Sequence, residues 1–416
     1  MQNTVTVAAL CAVGAERVVS NELRKLGLTI LDTGFGKVRF SADVSGIYRA
    51  LMALRAADRL LLETTFFEAM DFDALFDGVK AVPWEDMVPR GMGLRVTKVR
   101  SNRSRLKAAT SIQAIVHKAA AERLCAAHGI RRLPEGEKTA EIRVYVEKDQ
   151  VSLLLDLSGD PLFKRGYRSE GGAAPLRETT AAAILLLAGW RRKFPLYDPF
   201  CGSGTIIIEA AMYAWDMAPG LGRPFALQDL CIADPAAETA VRAELLGKVN
   251  FDHTIRIYGS DADSRAVSIA KSNALRAWEL ACGKVPQRGV RLDAEAPTRA
   301  MTGPGGAAAG SALPEIKALP MKDAHAPASP QSGEKGRAEK GFILTNPPYG
   351  KRLGSPGEAE EIYGEMAGLC RSFPGWKLAL ITDHPGFESF FGKKADSCRE
   401  ITNGAISSYF FQYEGL

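Results

Sequence analysis

The sequence predicts an α/β protein whose C-terminal region folds as a parallel sheet with helices on both faces. From about residue 175 onward, short apolar segments alternate with amphipathic ones, which is the pattern of repeated strand–helix units. Two of the predicted strands lead into turns rich in glycine or proline, placed where such sheets bind ligands. With 416 residues, 46% of them hydrophobic, the chain is long enough for two or three domains. We place the domains at residues 1–60, 61–168 and 169–416.

The first two units have the pattern of small α+β folds. In both, strand-like apolar segments are separated by segments with one apolar helical face. In residues 1–60 the expected elements are strand Val5–Val13, helix Ala15–Lys25, two strands within Thr29–Phe40 and a helix around Ile47–Leu54. In residues 61–168 they are helices Phe72–Val79 and Thr110–Ala127, strand Gly93–Val99, and a hairpin of Glu141–Glu147 with Gln150–Leu157.

The third unit alternates helices and strands. A helical insertion is expected within 215–250, because the strands on either side of it are far apart in sequence. A tract rich in Ala, Gly, Pro and Ser at 297–340 contains one predicted strand and is otherwise expected to be a flexible loop. The predicted helices are Leu176–Gly189, Thr205–Ala214 and Ser264–Ala277. The predicted strands are Phe194–Tyr197, Thr254–Gly259, Ile316–Leu319, Gly341–Leu344, Lys377–Ile381 and Ala405–Tyr413.

Composition and charge argue against a membrane protein, a disulfide-bonded protein and a metal-binding protein. The formal net charge is +5, which is modest for this length. The longest uncharged apolar run, Ala181–Trp190, is only half as long as the roughly 20-residue segment that spans a membrane. Seven scattered cysteines form no CxxC or Cys/His pattern, which favours free thiols in a reducing compartment over disulfides or a metal site. We therefore expect a cytoplasmic protein with no membrane span and no bound metal.

A glycine-rich turn near the start of the third unit predicts a cofactor site. Residues 198–205 read Asp-Pro-Phe-Cys-Gly-Ser-Gly-Thr and lie between a predicted strand and a predicted helix. Glycines allow a ligand to approach the turning backbone, and an acid at the strand end can hydrogen-bond that ligand. The turn is not GxGxxG, and no GKS or GKT triplet follows, which argues against dinucleotides and nucleoside triphosphates. The candidate cofactor-binding residues are Asp198, Gly202, Gly204 and Thr205.

Three further acids follow later strands of the same unit. Asp261, in the segment Gly-Ser-Asp-Ala-Asp at 259–263, can accept hydrogen bonds from both ribose hydroxyls of an adenosine. Asp263 is predicted to cap the helix that follows it. Asp323, after the strand Ile316–Leu319, is a candidate partner for the adenine amino group, and a plain surface aspartate is the alternative.

A second motif predicts where a base would bind. Residues 345–350 read Thr-Asn-Pro-Pro-Tyr-Gly and follow a short apolar strand. Two prolines remove two backbone donors, so the groups that remain are acceptors, namely the Asn346 side-chain oxygen and the Pro347 carbonyl. Two acceptors beside an aromatic ring suit a flipped planar base with an exocyclic amino group, on which Tyr349 can stack. The candidate catalytic residues are Asn346, Pro347, Pro348 and Tyr349.

The two acceptors indicate chemistry on an amino nitrogen. The amino lone pair of guanine or adenine is delocalised and therefore poorly nucleophilic. Hydrogen bonds from both N–H groups pull the nitrogen toward tetrahedral geometry, which frees the lone pair to attack a methyl donor. Those bonds strengthen as positive charge develops on the nitrogen, so they favour the transition state over the ground state. No general base is required, because the ammonium product is itself very acidic.

A cluster of cations in the second unit predicts RNA binding. The window from residue 95 to 107 contains six basic residues and no acid. Small polar residues lie among them, which is typical of a surface that contacts phosphates. A solvated charged surface is the alternative. The six residues are Arg95, Lys98, Arg100, Arg103, Arg105 and Lys107.

Together the motifs resemble those of class I methyltransferases that act on amino groups. Asp198–Thr205, Gly259–Asp263 and Asn346–Tyr349 look like motifs I, II and IV of that class. The stretch Leu162–Leu186, LFKRGYRSEGGAAPLRETTAAAILL, and the ending Asn403–Tyr413 are similar to THUMP-domain RNA methyltransferases of the RlmL kind. The resemblance covers most of the chain.

The resemblance implies a ferredoxin-like unit, a THUMP domain and a Rossmann-like catalytic domain, in that order. It implies S-adenosylmethionine as cofactor, bound by Asp198, Gly202, Gly204 and Asp261. It also implies N2-methylation of a guanine in large-subunit (23S) ribosomal RNA. The Ala/Gly/Pro tract is longer than the family pattern, which leaves the role of Asp323 open. We expect no second methyltransferase domain of the kind that fused relatives carry.

Three alternatives stay open. A DNA or RNA adenine-N6 methyltransferase would use the same Asn-Pro-Pro-Tyr chemistry, although a DNA enzyme would need a DNA-reading domain. A transfer RNA could be the substrate, because THUMP domains occur in enzymes that modify it. A non-catalytic RNA-binding assembly factor could retain the same fold, although the intact Asn346–Tyr349 segment argues against this.

Overall fold

The described residues form two seven-stranded sheets, one in each half of the chain. The first sheet lies within residues 5–156 and the second within residues 196–413. The computed structural model describes residues 4–136, 138–168, 176–252, 254–283, 313–327, 340–348, 356–404 and 406–416. Most of the loop predicted at 297–340 therefore lies outside the described residues.

The N-terminal sheet is mixed. Its strands are β1 (Val5–Cys11), β2 (Thr29–Gly34), β3 (Lys37–Ala42), β4 (Ala57–Glu68), β5 (Gly93–Asn102), β6 (Thr139–Glu147) and β7 (Gln150–Asp156). Its helices are α1 (Glu16–Lys25), α2 (Val44–Ala53), α3 (Phe72–Lys80) and α4 (Ala109–His128). The strands lie in the order β2-β3-β1-β4-β7-β6-β5, and only β5 and β6 run parallel to each other.

Side-chain alternation separates the two faces of this sheet. In β1, Val7 and Ala9 belong to the main core, which also contains residues of all four helices. Ala8, which lies between them, joins Leu61 and Leu154 in a small separate cluster on the other face. Within the described part of the chain, that cluster contains no helix residue. We call this second side of the N-terminal sheet the open face.

Three strands of this sheet show what the sequence pattern could and could not predict. The hairpin of β6 and β7 is confirmed, and its turn residues Lys148 and Asp149 have positive φ angles of 53° and 63°. β4 was not predicted, because Leu60–Leu62 is buried on both faces and gives an apolar run without alternation. β4 also runs across residue 60, so the first two predicted units share one sheet. The division at residue 60 stays a prediction.

The C-terminal sheet is built from strands β8 (Leu196–Asp198), β9 (Ile257–Asp261), β10 (Glu315–Ala318), β11 (Phe342–Thr345), β12 (Lys377–Thr382), β13 (Ser397–Asn403) and β14 (Ile406–Tyr413). Its helices are α5 (Glu178–Leu187), α6 (Thr205–Ala214), α7 (Pro235–Leu246), α8 (Ser264–Ala281), α9 (Pro356–Met366), α10 (Leu369–Ser372) and α11 (Phe387–Phe391). The helix α7 lies in the predicted insertion. Nowhere in the described ranges is a helix both long and apolar enough to cross a membrane.

The strand order of the second sheet reverses between β8 and β11. The order is β10-β9-β8-β11-β12-β14-β13, so β8 has a parallel neighbour on each side. Such a reversal opens a crevice at the carboxyl ends of the two central strands. The expected parallel arrangement is confirmed for five strands, while β13 and β14 add an antiparallel edge. β13 was not predicted, because most of its side chains are exposed or half-buried.

The two halves of the protein meet across a tightly packed junction. Gly220, in the insertion between α6 and β9, donates its N–H to the Met52 carbonyl of α2 at 2.8 Å. A Cβ at Gly220 would lie 2.8 Å from the Met52 Cα, so only glycine allows this approach. Arg165 lies 3.4 Å from Glu209 of α6, and both side chains are at most 1% exposed. The junction therefore buries backbone contacts and an ion pair together.

Candidate active site

A cavity of about 360 Å³ lies at the crevice between β8 and β11. Asp198 ends β8 and Asn346 follows β11 directly, so the two motifs singled out in the sequence meet at this cavity. Its volume is in the range of small-molecule sites, which have mostly apolar walls and a few polar groups. The apolar wall here is formed by Leu176, Phe200, Ile206, Ala266 and Ile269.

The two glycines of the turn meet different surroundings. Gly202 lines the cavity with a φ of +52°, and a Cβ there would meet open space. Gly204 has a φ of +87°, and a Cβ there would lie 3.1 Å from Ala270 of α8 and Ile208 of α6. A ligand can therefore approach the backbone at Gly202, whereas at Gly204 the neighbouring helix takes the space.

Asp198 is buried at the end of β8 and is held by two donors. The Thr345 hydroxyl donates to Oδ1 at 2.6 Å, and the Phe200 N–H donates to the same oxygen at 3.1 Å. Burial, helped by the nearby Asp261 carboxylate, raises the pKa of Asp198 to about 7, although both hydrogen bonds act to lower it. The second oxygen, Oδ2, receives no hydrogen bond from the residues that the structure describes, and it can accept one from a ligand.

The other acids occupy three different places. Asp261 ends β9 and accepts the N–H groups of Gly202 at 2.9 Å and Asp263 at 3.0 Å, so it holds the glycine turn against β9. Asp263 accepts the Arg265 N–H at 2.8 Å, which confirms the predicted helix cap, and it also lines the cavity. Asp323 is exposed in a short 3-10 helix after β10 and does not line the cavity.

An arginine from the second unit reaches the wall of the cavity. Arg168 donates to the Thr205 hydroxyl at 2.7 Å and to the Leu176 carbonyl at 3.3 Å, and both residues line the cavity. Its guanidinium also lies 3.2 Å from Glu178. Burial raises the pKa of Glu178 to about 7, although Arg168 acts to lower it. Thr205, the first residue of α6, is thus held by a residue that precedes α5 in the chain.

The segment after β11 brings one of the two predicted acceptors, Asn346, to the lining of the cavity, whereas Pro347 is not among the lining residues. Asn346 lines the cavity and is half-buried, and Pro347 beside it is buried. Pro348 is half-buried. Tyr349, which we expected to stack on a base, lies outside the described residues.

A chain of hydrogen bonds holds this segment from behind. The hydroxyl of Tyr363, a fully buried residue of α9, lies 3.4 Å from the Pro348 carbonyl and 2.9 Å from the Thr382 hydroxyl. The Thr382 hydroxyl accepts the His384 N–H at 3.2 Å. Because a carbonyl only accepts and an N–H only donates, the chain must run from His384 through Thr382 and Tyr363 to Pro348. The Pro348 carbonyl is therefore engaged by the protein itself.

The six predicted RNA-binding residues lie on β5 and in the loop that follows it. Arg95, Lys98 and Arg100 belong to β5, and the others belong to the loop. Arg95 lies 3.2 Å from Glu141 of β6, and in the described part of the chain the other five form no ion pair. The loop residues, all exposed, are Arg103, Arg105 and Lys107.

Sequence reasoning missed three side chains that the structure brings to the site. Thr345 holds Asp198, and its place at the end of β11 was a usable signal, because strand ends face the crevice. Phe200 lines the cavity from within the quoted turn. Arg168 belongs to the stretch LFKRGYR, whose residues carried no assigned chemistry. In the ranges that the structure describes, no group of three His, Cys, Asp or Glu side chains could hold a metal.

The arrangement suits a nucleoside-like ligand that carries positive charge. Asp198 and Asp263 line the cavity and Asp261 lies close to Asp198, so the carboxyl groups outnumber Arg265, the one cationic side chain among the described lining residues. The apolar wall and the open backbone at Gly202 leave room for a flat ring system. Asn346 also lines the cavity, and its amide oxygen is an acceptor of the kind that can hold an amino group.

Two family models match this chain. The model described as the methyltransferase domain of RMKL-like proteins matches residues 165–282 and 330–410. The model described as the RlmL ferredoxin-like domain matches residues 6–61. The first match contains both motifs of the cavity.

Individual relatives match over nearly the whole chain. The "Putative RNA methyltransferase YpsC" of Bacillus subtilis is 35% identical over 98% of this chain and 95% of its own length. The ribosomal RNA large subunit methyltransferase K/L of Syntrophotalea carbinolica is 32% identical over 96% of this chain, which spans only 52% of that protein. A crystal structure of SMU.472, "a putative methyltransferase complexed with SAH", has a TM-score of 0.82 at 33% identity, with 100% of this chain and 99% of that chain covered.

Proposed function

We propose that this chain, which belongs to the RMKL-like methyltransferase family, methylates the exocyclic N2 of a guanine in large-subunit ribosomal RNA. Membership makes the chain an S-adenosylmethionine-dependent methyltransferase with a Rossmann-like catalytic domain. One observation supports the finer proposal above all. Asp198 and Asn346, from the ends of adjacent strands, line the same cavity. A cofactor-binding acid and an acceptor for an amino group therefore serve one reacting centre.

The residues of the cavity fit this cofactor. We assign Asp198 and Gly202 to its binding, because one offers a buried carboxylate oxygen and the other an open backbone. Asp261 keeps further lone pairs for the ribose hydroxyls, since each carboxylate oxygen has two. Gly204 and Thr205 shape the turn, and Asp323 stays a prediction for the adenine amino group. When bound, S-adenosylmethionine supplies an electrophilic methyl group on a positively charged sulfur.

The chain's own residues hold and activate the target amino group. We assign the Asn346 side-chain oxygen and the Pro347 carbonyl as acceptors of the two amino hydrogens. Because Tyr363 engages the Pro348 carbonyl, we assign the Pro347 carbonyl, and not that of Pro348, to the substrate. Both bonds strengthen as positive charge builds on the nitrogen, which lowers the barrier to methyl transfer. Tyr349 stays a prediction for stacking on the base.

An RNA substrate is supported by the names of relatives and by the basic segment. Two matched relatives are named as RNA methyltransferases, one of them for large-subunit ribosomal RNA. This chain spans about half of the latter, so its substrate is part of the proposal. We also propose that residues 61–168 form a THUMP domain whose cations, on β5 and in the next loop, contact phosphates. The seven cysteines are all free thiols, which supports a cytoplasmic location.

A tritium-transfer assay tests the proposal directly. Purified protein, labelled S-adenosylmethionine and either ribosomal RNA or duplex DNA are mixed, and label in each nucleic acid is counted. The expected result is label in RNA only, recovered after digestion as N2-methylguanosine. Replacing Arg103 and Arg105 with Glu should weaken RNA binding and leave cofactor affinity unchanged.

Four outcomes would contradict the proposal or part of it. Label in DNA would favour the adenine-N6 alternative, and N6-methyladenosine in RNA would correct the target base. Failure to bind S-adenosylmethionine would favour a non-catalytic assembly factor. Equal loss of RNA and cofactor binding in the double variant would mean that the basic segment is structural.

A further inference from the structure

We propose that the open face of the N-terminal sheet is a platform for single-stranded RNA, on which Phe66 and Tyr145 stack bases. This inference rests on the RNA substrate of the proposed function and names the part of that RNA which the sheet holds. Two observations carry it. A row of side chains presents two aromatic rings on the open face, and unpaired cations lie beside that row.

Four neighbouring strands align the row. The strand register pairs Phe66 of β4 with Ser152 of β7, Ser152 with Tyr145 of β6, and Tyr145 with Arg100 of β5. Because adjacent strands lie about 4.8 Å apart, the two aromatic residues are separated by about 10 Å. Ser152 between them is small, so both rings can be reached by flat bases.

Phe66 is exposed, so its ring contributes little to the packing of the core. Its side chain is 69% exposed, whereas the next residue, Phe67, packs into the core so closely that a Cβ on Gly78 would lie 2.1 Å from its ring. Tyr145 is half-buried and packs on the small apolar cluster of the open face. Exposed aromatic rings are the groups on which proteins stack unpaired bases.

Cations are concentrated on the outermost strand beside these rings. Lys98 and Arg100 of β5 face the same side as Tyr145. Arg143 lies next to Lys98 on β6 and is itself paired with the buried Asp156 at 3.6 Å. Neither Lys98 nor Arg100 pairs with a carboxylate among the described residues. Burial, and then the charges of Arg100, Arg143 and Arg59, lower the pKa of Lys98. Cations that repel one another are stabilised by a phosphate, so this edge of the open face suits an RNA backbone.

The positions of the acidic side chains indicate where the RNA backbone would run on this face. Glu68 and Glu147 face the same side in the next row of the sheet, where phosphates would be repelled. Two acids lie nearer the cations: Glu141 of β6 is paired with Arg95, and Asp149 accepts the Ser104 hydroxyl and the Arg105 N–H. The phosphates are therefore expected along β5 and the exposed loop that contains Arg103 and Arg105. Paired bases hide their faces within a helix, so only an unpaired segment can use the two rings.

Binding measurements on variants with single substitutions at separate positions test this platform. Fluorescence anisotropy gives Kd for a labelled single-stranded RNA of about 12 nucleotides and for a duplex of the same length. Phe66→Ala is expected to raise Kd for the single strand about tenfold while the dependence on salt stays the same. Arg100→Ala should instead reduce the slope of log Kd against log salt by about 0.7. Phe35→Ala is the matched control, because Phe35 is 88% exposed at the far edge of the same sheet.

The result that overturns the platform is a Phe66→Ala protein that binds the single strand as Phe35→Ala does. Wild-type protein that binds the duplex as tightly as the single strand would overturn it as well. Tyr145→Phe keeps the ring and should bind like the wild type, whereas Tyr145→Leu should not. These measurements need neither cofactor nor turnover, so a failure of the platform is distinguishable from a failure of methyl transfer.

Discussion

The buried carboxyl of Asp198 predicts that cofactor affinity changes with pH near neutrality. Its pKa is raised to about 7, so the ligand-free protein holds it largely protonated at lower pH. An ionised carboxylate accepts donors and stabilises the positive sulfonium, whereas a protonated one does so poorly. The ionised fraction is about one tenth at pH 6 and about nine tenths at pH 8. Affinity for S-adenosylmethionine is therefore expected to rise about tenfold across this range.

The Asp198 carboxyl has the opposite effect on the pH dependence of folding stability. The folded state binds the Asp198 proton more tightly than the unfolded state, whose carboxyl has the ordinary value of 3.8. Because the folded state holds more protons between these values, this contribution to the free energy of unfolding falls as pH rises from 3.8 to about 7. Over the upper part of this pH range, the contribution of Asp198 to the free energy of unfolding should therefore fall while the affinity for the cofactor rises.

Calorimetric titration at pH 6, 7 and 8 measures the affinity. The cofactor has ionisable groups of its own, so Asp198→Asn is the necessary control, since it meets the same ligand without a titrating group at this position. The variant is expected to bind weakly and to show only the pH dependence of the ligand. If wild type and variant show the same dependence, the assignment of Asp198 is refuted.

Three further predictions concern the acceptors and the turn. Asn346→Ala should abolish methyl transfer while the Kd for the cofactor stays within about twofold, and an equal loss of both would contradict its role. Tyr363→Phe should lower kcat about tenfold through displacement of the Pro348 carbonyl, with cofactor Kd unchanged and only about 1 kcal/mol lost from the free energy of unfolding. Gly204→Ala should cost roughly 2–4 kcal/mol of stability, measured by urea unfolding, because a left-handed φ and two close contacts oppose a Cβ. Gly202→Ala, which meets open space, should mainly weaken cofactor binding, and the reverse ranking of these two variants would refute the roles assigned to the two glycines.

Much of the catalytic half could be predicted because its signals are local. A turn that follows a strand and precedes a helix must lie at the carboxyl end of a parallel sheet, and this pattern is enough to place Asp198 near Asn346. The cap by Asp263 depends only on the next residues along the chain. Such features need no knowledge of distant contacts.

The features that could not be predicted depend on residues far apart in sequence. The hydrogen bond from Thr345 to Asp198 spans 147 positions, and no period of the sequence encodes it. The hydrogen bond from Arg168 to Thr205 joins residues 37 positions apart, and no local pattern encodes it. β4 gave no alternation, since burial on both faces replaces the strand pattern with an apolar run.

The junction between the two halves has a geometric consequence for any bound RNA. With Gly220 pressed on α2 and Arg165 buried against Glu209, the N-terminal sheet and the catalytic crevice have little freedom to change their separation. An RNA gripped at both places must therefore span a preset distance. If RNA binds at both places, this fixed separation determines which nucleotide of the folded RNA can reach the catalytic crevice.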